Sequence, residues 1–584
     1  MRVTAFKTIH FSSKVSVDNS RWVKWPVYAL TAFPLIDFGL RHTVAPIGSV
    51  WDKVVLLLLM GAASIRYWSG TKTVPITWSR FAIYFCLFGL ALVFANFTHP
   101  LLTIAGYRID VYYIFFGLLI PFVVEAKDVP KLLYSAALIA ILIGIDGVFQ
   151  YIVKTPIPKA WVDPGEHLRT RVFSVLVSCN ELGAYMALMI PLIGGLMLYD
   201  TDRWRKWLLG LGLVPCTATL LFTFSRAAWF SLGLAIVVVA IAFERRLLIG
   251  LALLFAAAFL IPGMQHRILD VFSPLYWMKS AHGGRVARWH QAFSAMQSDP
   301  LFGVGPGHYG GAMAVLYHFS MYSDNYYAKT LGETGIVGLT LFFVMHIKLM
   351  QDLWARVTNA SGGKKMVFLG GLAGLLSVLI HSGFENVFEY APMSLCYFFV
   401  VSLLLVWGHI EMGDGPVRAL DRGLVVRNWL LTGFWALCVN EVNIWLIKPM
   451  VLHFAVLGVL AVMAMSALWL VSIPPGYRKT WVELTIFDLL VGQVLSYAFV
   501  LHWHFVVHTV LAVVGLLALS WIVIKMRMSR LLVSGLVAIG VVLVAEGFPV
   551  TSTWGLDSPF TLAAFALLGA SIVAGFALRN RAIA

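Results

Sequence analysis

Long apolar runs, broken by short polar turns, fill most of this 584-residue chain. A helix that crosses the hydrocarbon core of a bilayer needs about 20 mostly apolar residues. Runs of that kind recur near 24–40, 50–67, 80–97, 109–124, 131–153, 174–199, 206–224, 227–243 and 246–262. After an interruption they resume at 323–350, 365–382 and 389–410. Beyond the polar stretch His409–Arg422 they continue near 427–446, 451–473, 483–501, 503–524, 531–548 and 558–578. The pattern predicts an all-α polytopic integral membrane protein with about eighteen transmembrane helices. The interruption, a His/Arg/Gly-rich polar insertion over 263–320, is the longest departure from it. The division that follows is a transmembrane core over 1–411 with an outer loop at 263–322, a cytoplasmic linker at 412–424, and a C-terminal transmembrane extension at 425–584.

Composition narrows the class further. With 60% hydrophobic and only 12% charged residues, no soluble domain of this length could cover itself with polar surface. The net charge of +15 is distributed by position. Arg2, Lys7, Lys14, Arg21 and Lys24 precede the first run. Counting spans from there, alternate turns carry Arg203, Arg205 and Lys206, then Arg245 and Arg246, then Lys364 and Lys365, then Arg418, Arg422 and Arg427. Farther on they carry Arg478 and Lys479, Lys525, Arg527 and Arg530, and finally Arg579 and Arg581. Basic residues collect on the cytoplasmic side, so both termini are expected there and the long insertion on the opposite face. The excess charge therefore serves orientation and contact with an anionic lipid bilayer, and no nucleic-acid motif is present. The first run contains Asp37 and lacks a small-residue cleavage site, so it reads as a retained span. Cys86, Cys179, Cys216, Cys396 and Cys438 lie in apolar runs without metal-ligand spacing, so they read as small buried apolar residues. No metal and no cofactor is expected.

Polar groups gather on the predicted outer face. Arg169 and Arg171 precede Ser178, Asn180 and Glu181 at one helix entrance, and Ser225-Arg226 interrupts two spans. The insertion contributes Arg267, Gly283-Gly284-Arg285 and Arg288, then a glycine-rich stretch with Gly303, Gly305 and Gly307. Asp324-Asn325 opens the next span, with Glu333 and Gly335 along it, and His381, Glu385, Asn386 and Glu389 close the last outer turn. Arginines on the face where basic residues are avoided suit an anion, because a guanidinium holds phosphate oxygens bidentately and keeps its charge. Trp161, Trp277 and Trp289 fit an interfacial aromatic belt better than sugar stacking. Asp324-Asn325 before an apolar run also reads as a helix cap. Gly303, Gly305 and Gly307 suggest close backbone approach to a ligand, and Gly335 and Gly338 close helix packing. In the second half, Glu441, Glu483, Asp488, His502, His504, His508 and Glu546 sit near span ends, where interfacial placement explains them.

These residues resemble a family. Asp324-Asn325, nine residues, then Gly335-Ile336-Val337-Gly338 is similar to the O-antigen ligase motif of histidine, a small polar residue, nine residues, glycine, two residues, glycine. Ser225-Arg226, Gly284-Arg285 with Trp289, Pro300-Leu301-Phe302-Gly303-Val304-Gly305, and Asn180-Glu181-Leu182-Gly183 after Arg171 resemble its other elements, in order. The likeness spans roughly 165–350, and 1–411 in architecture. It implies a metal-independent, inverting glycosyltransferase of the O-antigen ligase and polymerase superfamily in a bacterial cytoplasmic membrane. The implied donor is an undecaprenyl-pyrophosphate-linked oligosaccharide, and the acceptor a hydroxyl on a glycan or lipid. The resemblance assigns catalytic roles to Asp324, Arg285 and Arg226, and substrate binding to Arg171, Arg288, Asn325, His381 and Glu385. One departure stands out: the motif's histidine, the family's proposed base, is Asp324 here. With an ordinary carboxyl value of about 3.9, aspartate is a weak base unless burial raises it, so His381 and Glu385 stand as alternatives. Loss of the histidine favours a repeat-unit polymerase over an O-antigen ligase or a protein O-oligosaccharyltransferase. A transporter or flippase is the alternative of another class, though arginines at the outer edge rather than the bilayer midplane speak against it. The spans after 425 suit docking of a flippase or chain-length regulator, or an extension of the acceptor groove.

Overall fold

The computed structural model describes residues 21–68, 78–95, 99–158, 170–176, 178–259, 273–282 and 284–409, and the single positions 265, 267 and 269. The linker at 412–424, the extension at 425–584, Arg169, Trp161 and Gly283 lie outside the described residues. Every regular element among the described residues is a helix. In chain order these are α1 (Arg21–Thr31), α2 (Phe33–Thr43), α3 (Ala45–Gly48), α4 (Trp51–Trp68), α5 (Ser79–Ala95), α6 (Pro100–Val123), α7 (Val129–Val153), α8 (Cys179–Tyr199), α9 (Arg203–Phe222), α10 (Arg226–Ala242) and α11 (Leu247–Phe259). There follow α12 (Pro274–Ala281), α13 (Arg285–Ser298), α14 (Ala312–Leu316), α15 (Tyr326–Asn359), α16 (Gly362–His381) and α17 (Ala391–His409). Among the described residues six helices, α6, α7, α8, α15, α16 and α17, are long and apolar enough to cross a membrane. The chain is an all-α membrane protein.

Three boundaries differ most from the apolar pattern, one of them the end of α15 at Asn359, past the predicted 350. The first predicted span is broken into α1 and α2, with Pro34 in the first turn of α2 and no backbone N–H to continue the ladder. Helix α6 starts at Pro100, ahead of the predicted 109, because it absorbs Arg108 and Asp110 that had marked the edge of the apolar run.

The chain divides into two compact units. Among the described residues, those within 21–68, 110–279 and 347–409 form the first, and those within 78–109 and 280–346 form the second. In the first unit, α7 shows how lipid and protein share a helix. Leu138, Leu142, Ile145, Phe149 and Ile152 recur every three or four residues and are exposed. Ala136, Ala137, Ala140, Ile143, Gly144 and Gly147 form the buried face, where Thr219 of α9 donates to the Gly144 carbonyl at 2.6 Å. Small residues also set the contact of α8 with α16. A Cβ on Gly370 would stand 2.1 Å from the Pro191 carbonyl oxygen, and one on Gly374 would stand 2.2 Å from that of Leu188. Lipid gives no hydrophobic drive for helix association, so backbone approach through small-xxx-small spacing supplies the contact. It brings the start of α8 beside the end of α16, where polar groups collect.

The second unit is organised around a break in α15. Gly335 has φ +63° and ψ −167°, so the helix is interrupted there. A helix break orphans backbone groups on both sides, and in low dielectric these must be satisfied. The loop Pro300–Gly307 does so. Val304 and Gly305 amides donate to the carbonyls of Gly332 (2.9 Å) and Glu333 (2.8 Å), while Ile336 and Val337 amides donate to those of Pro300 (3.0 Å) and Leu301 (3.2 Å). The Glu333 side chain adds a link, accepting from the Gly307 amide and from Lys329 Nζ, each at 2.9 Å. Both ends of that ion pair are buried. The glycines read from sequence as a ligand-approach turn therefore approach the chain's own helix, and Gly335 admits this loop rather than a neighbouring helix.

Candidate active site

Helix α13 runs straight into the docked loop, so its position relative to the start of α15 is set by the break. Its Ala292 packs with Tyr309 and Ala328, with Trp289, Ala295 and Val304 against them. Tyr309 also donates its hydroxyl to the Arg288 carbonyl at 2.8 Å. Arg285 and Arg288 are three residues apart in the first turn and so lie on one side of the helix. Both face Asp324. Arg288 Nη1 donates to Asp324 Oδ2 at 2.7 Å and to the Tyr322 carbonyl at 3.3 Å, and Arg285 Nε lies 3.7 Å from the same oxygen. Arg288 Nε is buried without a hydrogen bond.

The cap of α15 belongs to Asn325. Its Oδ1 accepts from the amides of Tyr327 (3.0 Å) and Ala328 (3.1 Å), two of the donors a helix start leaves open. Asp324 was the other candidate for that role; the structure gives it none of the capping bonds. It adopts φ +49°, an uncommon conformation for a non-glycine residue, in a turn fixed by Ser323. The Ser323 amide donates to the Gly310 carbonyl at 2.9 Å, and its Oγ to that of Asn325 at 3.0 Å. The turn aims the carboxylate at the two guanidinium groups, where Oδ2 is engaged and Oδ1 makes no hydrogen bond.

The first unit holds a separate polar cluster at the end where α8 and α10 begin and α9 and α16 finish. Arg171 is buried, with Nε donating to the Thr223 carbonyl at 3.0 Å and Nη2 reaching Asn180 Oδ1 at 3.5 Å. Asn180 Nδ2 donates to Glu385 Oε2 at 2.5 Å, and Glu385 Oε1 accepts from the Asn386 amide at 3.1 Å. His381, the last residue of α16, is fully buried beside them in sequence, and its carbonyl accepts from the Glu385 amide at 3.1 Å. Arg226 opens α10 half-exposed, after Phe224 at φ +51° makes the tight turn between α9 and α10. Arg267, one of the arginines expected to suit an anion, is buried. Two polar atoms in this region, Glu181 Oε1 and Ser225 Oγ, are buried without a hydrogen bond, which costs free energy in any protein.

Each unit thus brings together part of the predicted set: Arg285, Arg288 and Asp324 with Asn325 in one, and Arg171, Asn180 and Glu385 in the other. Arginines around a carboxylate can hold an anion, and a buried network ending on a carboxylate can orient a hydroxyl. Residues 211–343 match the O-antigen ligase family. That stretch is similar to an O-antigen ligase domain. Arg226, Arg285, Arg288, Asp324 and Asn325 all fall inside this stretch, whereas Arg171, His381 and Glu385 fall outside it. No curated protein matches the chain. Lys329 was missed by the sequence reading, although its i,i+4 spacing to Glu333 within one predicted helix was a visible signal for a salt bridge.

Proposed function

We propose that the chain is a glycosyltransferase of surface polysaccharide assembly. It takes glycan from an undecaprenyl-pyrophosphate donor to an acceptor hydroxyl, working as a repeat-unit polymerase on the outer face of the bacterial cytoplasmic membrane. In this reading about eighteen spans place both termini in the cytoplasm, and 1–411 forms the catalytic core. One observation carries the proposal: within the ligase-like stretch, Arg285 and Arg288 converge on a single carboxylate in a partly exposed setting.

The chemistry follows from that geometry. The acceptor oxygen forms a bond to the anomeric carbon as the bond from that carbon to the pyrophosphate oxygen breaks, and attack from the opposite side inverts the centre. Negative charge grows on the departing pyrophosphate, and fixed guanidinium groups stabilise it as it forms, without a metal. Arg285 and Arg288 take this role, and Arg226 is a further residue proposed for catalysis. The acceptor's proton passes to a carboxylate; Asp324, with its unengaged Oδ1, is the first choice, and the Asn180–Glu385 pair with His381 is the other. Arg171 holds that second pair in place.

The test is the glycan profile of a strain lacking the protein. Single repeat units stalled on the lipid carrier identify a polymerase. Full-length polymer retained on the carrier identifies a ligase. Carrier-linked glycan trapped on the cytoplasmic side identifies a transporter. Complementation with Arg226→Ala or Arg285→Ala should fail; normal assembly with both variants would overturn the transferase reading.

A further inference from the structure

The first turn of α13 holds two arginines and no acid. That is an arrangement the helix dipole disfavours, since the N-terminus already carries partial positive charge. The cap residue Gly284 has no side chain to offer, and the neutral Ser280 hydroxyl that accepts from the Val286 amide at 3.3 Å brings no negative charge. The chain answers with one carboxylate from elsewhere. Asp324 is held in a left-handed turn by Ser323 and by the Asn325 cap, and its Oδ2 lies between both guanidinium groups. The side chains of Arg285, Arg288 and Asp324 are 31%, 28% and 21% exposed, so solutes reach the cluster. A dipole-bearing helix end with two arginines is an anion site, and in this structure the anion is the protein's own.

We infer that Asp324 is the resident counter-ion of this site, and that the donor's pyrophosphate takes its place between Arg285 and Arg288. The inference rests on the transferase reading and adds to it an exchange. Before the donor arrives, Asp324 is a positioning residue that keeps two like charges aligned on one helix face. The exchange favours a ligand bearing more negative charge than the single carboxylate it displaces, which describes a pyrophosphate and excludes a neutral glycan. Displacement also releases Oδ2, so the carboxylate becomes fully available for the acceptor's proton only once the donor is in place.

The experiment is titration of the purified full-length protein in lipid nanodiscs with inorganic pyrophosphate. Removing the competing charge in Asp324→Asn should tighten binding about tenfold, since an internal carboxylate within contact distance of both guanidinium groups opposes a second anion, less so where solvent screens it. A variant that merely damaged the fold would weaken binding, so tightening separates the exchange from a structural role. Asp324→Ser is read the same way should the asparagine variant not remain monodisperse. Unchanged or weaker binding in these variants, with Arg288→Ala still abolishing it, overturns the exchange and leaves the arginine grip standing. Binding that survives both Arg285→Ala and Arg288→Ala overturns the pyrophosphate site itself.

Discussion

Replacing Gly335 by alanine should unfasten the outer loop from α15. The residue sits at φ +63° and ψ −167°, a region that is essentially glycine's alone, so a side chain there costs about 1–3 kcal/mol in backbone strain. Space is the larger problem. A Cβ would stand 2.3 Å from both the carbonyl carbon and the oxygen of Leu301, which are backbone atoms with no rotamer to turn aside. Only displacement of the loop relieves the clash. That loop is held by backbone hydrogen bonds of 2.8–3.2 Å on both sides of the break, and each buried group left unpaired costs about 1–3 kcal/mol. Strain plus the loss of two such bonds gives a destabilisation of about 4 kcal/mol or more, against a typical total of about 5–15 kcal/mol. Thermal unfolding of the purified protein, followed by fluorescence-detected gel filtration, reads this directly. Gly194→Ala in α8 is the control: a Cβ there meets nothing within 4 Å, and alanine is the better helix former by about 1 kcal/mol. If Gly335→Ala melts together with Gly194→Ala, the argument that the break is fastened by close backbone approach is wrong.

Three further outcomes follow from the site geometry. Asn325→Ala removes the cap of α15 and should cost about 1 kcal/mol, with Asn325→Asp restoring it; lost transfer at unchanged stability would instead place Asn325 against substrate. Asn180→Ala separates buried Arg171 from buried Glu385 and should cost about 1.5–3 kcal/mol in thermal or denaturant unfolding. A change indistinguishable from wild type would show that the link does not hold this end of the cluster together. Burial pushes the Asp299 carboxyl up, with the Phe302 and Leu301 amides pulling it back. A raised folded-state value means that its contribution to stability is present below the unfolded value, about 3.9, and lost as pH rises through the folded one. Asp299→Asn keeps an acceptor for the Phe302 amide without the charge, so its melting temperature should gain on wild type from about pH 4 upward, and a constant offset at all pH values would refute the assignment.

What the sequence could say about this molecule depended on which physical constraint acted at each place. Membrane crossing imposes a length and a polarity that no local detail overrides, so α7, α8, α16 and α17 lie within a few residues of the apolar runs. Where charge entered a helix, as at Arg108 and Asp110 in α6, the apolar pattern stopped although the backbone ladder did not. The glycines were harder. Gly303 and Gly335 were visible as motif letters, but glycine spacing alone does not distinguish approach to a ligand, a helix or a loop, and the partner of each is about thirty residues away in the chain. Asp324 and Asn325 posed the same difficulty at shorter range. Both are good capping residues, and adjacency hides which one turns toward the helix. The left-handed turn at Asp324 decides it, by giving the cap to Asn325 and the carboxylate to the arginines. Where the motif this stretch resembles has histidine, an acid engaged by two guanidinium groups changes the local electrostatics. On the proposed exchange, an acid here bears on how the donor is admitted as well as on where the acceptor's proton goes.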